Sequence, residues 1–402
     1  MLSTAEAARA IADAMPLFDP AEVDLAAAVG RILRQDVLAE RDQPPFDRVM
    51  MDGIAIRFAS LAEGLREFAL QGVQQAGDPV MTLDSGTHCI EIMTGAVMPA
   101  GADCVVPVER LQLADGVAVI AADYLPEARQ YIHPQGSDHK RGSRVLRAGA
   151  HISPMDIAVI ASCGLQDVTV SSLPVVRVIS TGNELVPPGE PIEPQQIRLS
   201  NGPALLAMLT RSGFTDCSLA HLPDDLGILT EKLRQHLQDC DILILSGGVS
   251  MGKADYVPQV LADLGVKLQF HKISQRPGKP MWFGTGPGQQ VVFALPGNPV
   301  SSLVCCRQYV LPALLQAGGR RERPAETAAL AEEFIFRPRL TCFLPVRVAS
   351  DENGRSIATP APTNTSGDFT ALSGTDGYVE LALESDVFVE GATVPLHRWD
   401  SP

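Results

Sequence analysis

The sequence predicts a multidomain α/β protein organised around a doubly wound sheet. Three observations lead there. Between residues 174 and 318, apolar strand-like runs alternate with amphipathic helical runs, which is the rhythm of parallel βα units. The run "DILILS" is apolar almost throughout, as in a strand covered on both faces. Residues 45–136 and 325–402 instead show short β runs and turns, the texture of separate β-rich units. With 402 residues the chain is too long for one hydrophobic core, so about two to four domains are expected.

Residues 1–44 read as helical. Ser3 and Glu6 have the spacing of a capping box, and Leu25, Val29, Ile32 and Leu33 fall on one helical face. Pro44 and Pro45 end that pattern. The β-rich stretch over 45–136 contains "FALQGV", "HCIEIMTGAVMP", "DCVVPVERL" and "GVAVIAA". In it, Met50 and Met51 suit a core, and Asp52-Gly53 and Thr94-Gly95 suit turns. Residues 137–173 return to a short strand and a helix in "GSRVLRAGAHISPMDIAVIASCG".

From 174 onward, "VVRVIS" leads into "TGNEL", and "NGPALLAMLTRSG" reads as a helix. A second helix carries Leu226, Leu229, Leu233 and Leu237 on one stripe, with Asp224 or Asp225 at its start. "VVFALPGNPVSSLVCCRQYVLPALL" reads as strand, turn and helix, with Asn298 as N-cap and Pro299 in the first helical position. The charged stretch "AGGRRERPAE" reads as a linker. Residues 325–402 read as a small β barrel or sandwich.

Hydrophobic residues make up 46% and charged residues 20% of the chain, and the net charge is −15. That balance is ordinary for a soluble globular protein and argues against a nucleic-acid surface. An anionic ligand would need a local basic pocket set against the overall field. The eight cysteines include no Cys-x-x-Cys pair, so buried free thiols in a reducing cytoplasm are expected. The eight histidines show no zinc spacing. The N-terminus lacks the basic and apolar regions of a signal peptide, and no apolar run approaches membrane-spanning length.

Ligands of open α/β sheets bind beyond the carboxyl ends of the strands. Three loops leave such ends: "STGNE", "SGGVSMGKAD" and "LPGNPVSS". In the second, Ser246, Gly247, Gly248 and Ser250 follow the strand, and Asp255 comes three residues after the last glycine. Glycines let backbone N–H groups approach an anion. An acid beside an anion cradle implies a bridging cation, for which Mg²⁺ is the natural choice. The loop by itself equally fits a tight βα turn with a surface aspartate, since it has neither Walker nor Rossmann spacing. In "HKISQRPGKP", Lys272, Arg276 and Lys279 lie close together around a Pro-Gly turn that lets their charges converge. Taken with Glu184, Asp224 and Asp255, they form the mixed acid–base set that a metal–phosphate site needs.

The motifs "MDGIA", "IMTGAVMPAGADCVVPVE", "GSD", "STGNEL", "SGGVSMGKADY", "RPGKP" and "LPGNPVSS" occur in the order seen in the MoeA/gephyrin E-domain family. The chain resembles that family over nearly its whole length. The resemblance implies a molybdopterin molybdotransferase, which takes adenylylated molybdopterin and molybdate, inserts the metal and releases AMP with the help of Mg²⁺. It implies a homodimer with four domains per subunit. Residues 1–44 and 137–173 would form the helical dimerisation domain, and residues 45–136 the β-rich lid. Residues 174–318 would form an α/β domain like the molybdopterin adenylyltransferases, and residues 325–402 a C-terminal β domain. The cleft would lie between the α/β domain of one subunit and the lid of the other. Glu184, Asp224, Asp255, Lys272, Arg276 and Lys279 would line the α/β side, with Asp255, Asp224 and Glu184 as metal ligands. The cradle would include Ser246, Gly247, Gly248, Ser250, Pro296, Gly297 and Asn298. Asp52, Thr94, His133 and Asp138 would come from the lid, and Arg339 and Ser366 from the C-terminal domain.

The chain departs from the family pattern at Arg48, Val49, Met50 and Ile54, where the family commonly has a polar pair and an aromatic. His133 stands where many members have arginine, so a permanent cation becomes a titratable one. Asn183 stands where Asp is frequent, and Pro338 replaces a glycine before Arg339. The rival enzymatic readings are a molybdopterin adenylyltransferase, which is also a possible partner protein, and a tungstate-inserting relative. The rival of another class is a non-catalytic scaffold, since animal members of the family also anchor receptors; this chain has no fused adenylyltransferase domain.

Overall fold

A computed structural model describes residues 1–249, 256–321 and 324–400. The chain divides into two compact units. The larger comprises Met1–Gln35, Gly149–Ser153 and Asp167–Pro402, and the smaller Asp36–Ala148 and Pro154–Gln166.

The larger unit is built on a six-stranded sheet. Its strands run in the order Cys217–Leu222, Val176–Thr181, Ile242–Ser246, Val291–Leu295, Trp282–Thr285 and Lys267–His271. The first four are parallel, and the last two complete an antiparallel edge. Every residue of Ile242–Ser246 and Val291–Leu295 is buried. The reason is visible in the two cores. Ile242, Ile244, Val291 and Phe293 pack on one face, while Leu243, Leu245, Val292 and Ala294 pack on the other. Successive strand residues point to opposite faces, so only an unbroken apolar run fills both.

Helix Leu226–Gln238 covers the second face through Leu229, Leu233 and Leu237. Asp225 caps it, accepting from Ile228 N at 2.8 Å, so the choice between Asp224 and Asp225 is settled in favour of Asp225. Leu226 departs from the expected stripe: in the first turn it is 43% exposed. Helix Thr4–Ala14 starts in the capping box formed by Ser3 and Glu6 and packs Ala7 and Ile11 into the first core.

The helical reading of residues 1–44 is corrected beyond that helix. Pro20–Asp24 is a strand paired with Asp167–Ser171, and the second helix is the single turn Leu25–Ala28. Val29 is no longer helical, and Gly30 has φ +79°. Ile32 and Leu33 then form bridges to His151 and Val170. Partners far along the chain override the local periodicity.

The helix after Val291–Leu295 spans Pro299–Cys305, a π turn at Cys306–Val310 and Leu311–Ala317. Pro312 lacks the N–H that a regular turn needs, and the wider turn before it accommodates the ring. The strands Thr341–Ser350, Ser356–Pro360, Glu326–Leu330, Thr393–Arg398 and Gly377–Leu381 follow, and pairing of the first with the last closes a five-stranded barrel. Cys342, Leu344 and Val346 point into it, whereas Phe343 and Tyr378 point out onto Val300 and Val304. Gln275–Arg276 adds a parallel edge to this barrel at Thr341–Cys342.

The smaller unit holds another six-stranded sheet, ordered Cys104–Pro107, Gly53–Ile56, His88–Ile92, Glu67–Gln74, Val117–Ile120 and Leu111–Ala114. Ile54, Ile56, Phe68 and Val106 fill one face, and Val49, Ala55, Ile92 and Val105 fill the other. Met50 and Met51 are corrected from core to surface, with exposures of 52% and 36%. Gly53 is not a hairpin corner but a strand residue. A Cβ there would lie 1.9 Å from the Val106 carbonyl oxygen, so the adjacent strand itself demands glycine.

Candidate functional site

The carboxyl ends of the parallel strands open onto a cleft of about 700 Å³. Ser180, Thr181 and Ser246 close two of the strands, and the following loops bring Glu184, Asp224, Gly247, Gly248 and the Pro296-Gly297-Asn298 turn to the same wall. Gly247 and Gly248 have φ of +104° and +65°. Their missing side chains matter for space as well. A Cβ on Gly247 would meet the Thr181 carbonyl oxygen at 2.6 Å, and one on Gly248 would meet Val257 Cγ2 at 2.7 Å.

Three side chains lock these loops together. Asn201 Nδ2 donates to Ser246 Oγ at 2.9 Å and to the Gly297 carbonyl oxygen at 2.8 Å. Asn183 Oδ1 accepts from Asp224 N at 3.0 Å. His221 Nε2 lies 2.8 Å from the Gly182 carbonyl oxygen, so that nitrogen carries the ring proton. Below the glycine turn, Ser180 Oγ and Thr181 Oγ1 are buried and have no hydrogen-bond partner among the described residues.

A second pocket of about 450 Å³ shares Pro280, Pro296 and Asn298 with the cleft. Arg276 and Lys279 line it together with Phe334, Phe336 and Phe343. Ser366 closes its rim, accepting from Asn298 Nδ2 at 2.8 Å through Oγ and from Val300 N at 3.1 Å through its carbonyl oxygen. Asn298 is the N-cap residue, but its side chain serves Ser366 rather than the helix. Lys272 and Arg339 line neither cavity. Burial, reinforced by the Lys272 charge, holds the His271 ring below the usual histidine range, with a hydrogen bond to the Val249 main chain opposing this. Burial pushes the thiols of Cys306 and Cys342 up to about 12, which leaves them inert as nucleophiles. The cysteines are all free.

In the smaller unit, Asp52 Oδ1 accepts from Thr94 Oγ1 at 2.6 Å and from Thr94 N at 2.7 Å. Those two bonds, the hydroxyl first, hold Asp52 below the usual carboxylate range. His133 and Asp138 also meet, with Nε2 2.9 Å from Oδ1. Ser250 and Asp255 lie outside the described residues. Among the described residues, no group of three or more His, Cys, Asp or Glu side chains stands ready for a metal. The cleft offers the carboxylates of Glu184 and Asp224.

Sequence reasoning missed Asn201 and Gln275. They carry no local signal, because their partners lie far along the chain.

Comparison with known proteins agrees along the whole chain. The family described as "MoeA N-terminal region (domain I and II)" matches residues 2–164. "Probable molybdopterin binding domain" matches residues 177–316, and "MoeA C-terminal region (domain IV)" matches residues 327–399. A Synechocystis sp. protein named molybdopterin molybdenumtransferase is 36% identical, covering 99% of this chain and 100% of its own. A Bacillus subtilis protein of the same name is 30% identical over 93% of this chain and 88% of its own. The crystal structure of the molybdopterin biosynthesis MoeA protein from Pyrococcus horikoshii OT3 matches with a TM-score of 0.81 at 28% identity, covering 98% of this chain and 100% of that one. With a full-length relative at 36% identity and all three regions matched in order, the chain belongs to the MoeA family.

Proposed function

We propose that this protein is a molybdopterin molybdenumtransferase that inserts molybdate into adenylylated molybdopterin and releases AMP. The observation that carries the reading is the pair of adjoining cavities. A glycine-lined cleft with two carboxylates adjoins, at Pro280, Pro296 and Asn298, a pocket bearing Arg276, Lys279 and aromatic side chains. One cavity suits the phosphoanhydride and nucleotide, and the other suits an oxyanion beside a flat apolar ring.

Each residue has a task in that reaction. The backbone at Gly247 and Gly248 approaches the phosphate oxygens. Arg276 and Lys279 hold molybdate or the pterin phosphate through charge-assisted hydrogen bonds. Asn201 keeps the glycine loop and the Gly297 turn in register while the anhydride is cleaved. Glu184 or Asp224 orients the attacking water. The donor set suits Mg²⁺, which takes one or two carboxylates, substrate phosphate oxygens and water. Glu184, Asp224 and Asp255 would hold it. Bound there, Mg²⁺ neutralises phosphate charge and polarises the anhydride.

We further propose a homodimer that receives its substrate from a molybdopterin adenylyltransferase in the cytoplasm. Free, mostly buried cysteines support the reducing compartment. Among the described residues, no helix is long and apolar enough to cross a membrane. The test is to incubate the purified protein with adenylylated molybdopterin, Mg²⁺ and molybdate. AMP and active cofactor should appear together. Adenylylation of molybdopterin by ATP with release of pyrophosphate, or no AMP from the adenylylated substrate, would overturn the reading.

A further inference from the structure

Strands Arg48–Val49 and Ile132–His133 pair antiparallel and set His133 opposite Arg48. Arg48 Nη2 lies 3.1 Å from His133 Nδ1, and His133 Nε2 lies 2.9 Å from Asp138 Oδ1. A guanidinium has only donors and a carboxylate only acceptors. His133 Nδ1 therefore accepts and Nε2 donates, which describes a neutral ring with its proton on Nε2. A doubly protonated ring would set an N–H against an N–H at Nδ1.

The chain of contacts is anchored at its far end. Asp138 N donates to the Gln43 carbonyl oxygen at 2.9 Å, just after a turn at Gly136 with φ +67°. The neighbouring acids are occupied elsewhere. Asp47 is taken by Arg129 Nη2 at 2.7 Å and by Gln135 N at 2.8 Å, and Asp52 is taken by Thr94. Among the described residues, no carboxylate forms an ion pair with the exposed Arg48. In a chain of net charge −15, this cation is oriented by a neutral acceptor, with the Asp138 carboxylate one ring away and no carboxylate in direct contact.

We propose that Arg48 is the anion-binding cation of the smaller unit and that His133, fixed by Asp138, is its positioning residue. The ligand class is a phosphate or pyrophosphate group, and in the transferase reading, on which this assignment rests, that is the phosphoanhydride of the adenylylated substrate. A planar guanidinium with one N–H held by the ring presents its remaining donors in a fixed fork.

The experiment measures pyrophosphate affinity by calorimetry across a salt series, and the KM for adenylylated molybdopterin. Arg48→Ala should weaken pyrophosphate about tenfold or more and flatten the salt dependence. KM should rise more than kcat falls. Arg48→Lys should keep the salt dependence while losing part of the affinity. His133→Ala should cost only a few-fold and leave the salt dependence unchanged, because the charge remains. Should Arg48→Ala fail to fold, Arg48→Gln carries the same test. Pyrophosphate affinity unchanged by loss of Arg48, or absent from the wild type, overturns the proposal. So does a larger loss in His133→Ala than in Arg48→Ala, which would make the ring the contact. Arg48-dependent pyrophosphate binding without AMP release would instead sink the transferase reading and leave Arg48 standing.

Discussion

Gln275 Nε2 donates to the Pro277 carbonyl oxygen at 3.0 Å, across the turn that carries Arg276 and Lys279. Gln275 is wholly buried, and its Oε1 accepts from the Tyr309 hydroxyl. The amide is a strut from the long helix to the underside of the cation loop.

Tyr309→Phe removes the donor and strands a buried acceptor, at a cost of about 1–3 kcal/mol. The melting temperature should fall, and the KM for molybdate should rise several-fold with a smaller change in kcat. A lower melting temperature with unaltered molybdate kinetics would confine the strut to stability.

Gly53→Ala drives a methyl group into the Val106 carbonyl oxygen, 1.9 Å from the ideal Cβ. Main chain cannot rotate away, so a loss of about 3 kcal/mol is expected. The loss should be read as early protease cleavage or early hydrogen exchange within Gly53–Ile56 and Cys104–Pro107, the two strands forced apart. Wild-type protection there would refute the steric argument.

Glu184→Gln, Asp224→Asn and Asp255→Ala separate the carboxylate roles. Loss of a metal ligand should lower AMP release about a thousandfold and raise the Mg²⁺ concentration needed for half activity. Loss of a water-positioning group should lower the rate with the Mg²⁺ requirement unmoved. Wild-type AMP release in all three variants would remove these acids from the reaction.

Acid should destabilise the protein in two stages. Burial, with Arg177 second for His236 and Lys272 second for His271, holds both rings below the ordinary value of 6.5. The unfolded chain therefore takes up protons first as the pH falls, and stability is lost below about 6.5. Asp42, lowered chiefly by the Arg141 main chain, and Asp52, lowered chiefly by Thr94, lose their contribution only below the ordinary 3.8. Melting temperatures between pH 7.5 and 5 should show the first stage, and His236→Gln with His271→Gln should flatten it. An unchanged slope in the double variant would assign the loss elsewhere.

The homodimer proposal predicts complementation. Asp52→Ala and Asp255→Ala chains, each inactive by itself, should regain AMP release when mixed, if one chain supplies Asp52 to a reaction whose Asp255 comes from the other. A two-tag pull-down confirms exchange. Confirmed heterodimers without recovered activity would exclude sharing between chains.

What was legible in the sequence follows the range of the forces. Ile242–Ser246 is apolar on both faces and sits at the centre of its sheet, because that pattern has few other uses. The cap at Ser3 acts over three residues and could be read directly, and the cap of Leu226–Gln238 could be narrowed to Asp224 or Asp225. The stretch from Val29 to Leu33 could not, since its partners His151 and Val170 come more than a hundred residues later. Met50 and Met51 look like core until the strands are placed. At the site, glycine loops and clustered charge pointed to Glu184, Asp224, Arg276 and Lys279, whereas Asn201 and Gln275 act by joining loops that only the fold brings together.

The edge pairing of Gln275–Arg276 with Thr341–Cys342 has a consequence for the order of events during synthesis. The cations of the loop are translated before the barrel strand that fixes their main chain, and before Ser366, which closes the pocket rim. A nascent chain that has emerged only as far as the long helix carries the charges of Arg276 and Lys279 without the strand that holds their loop. If that loop binds an oxyanion as proposed, its selectivity would be acquired late, when the C-terminal strands leave the ribosome, and a ribosome stalled before Thr341 would display a loop with charge but little discrimination.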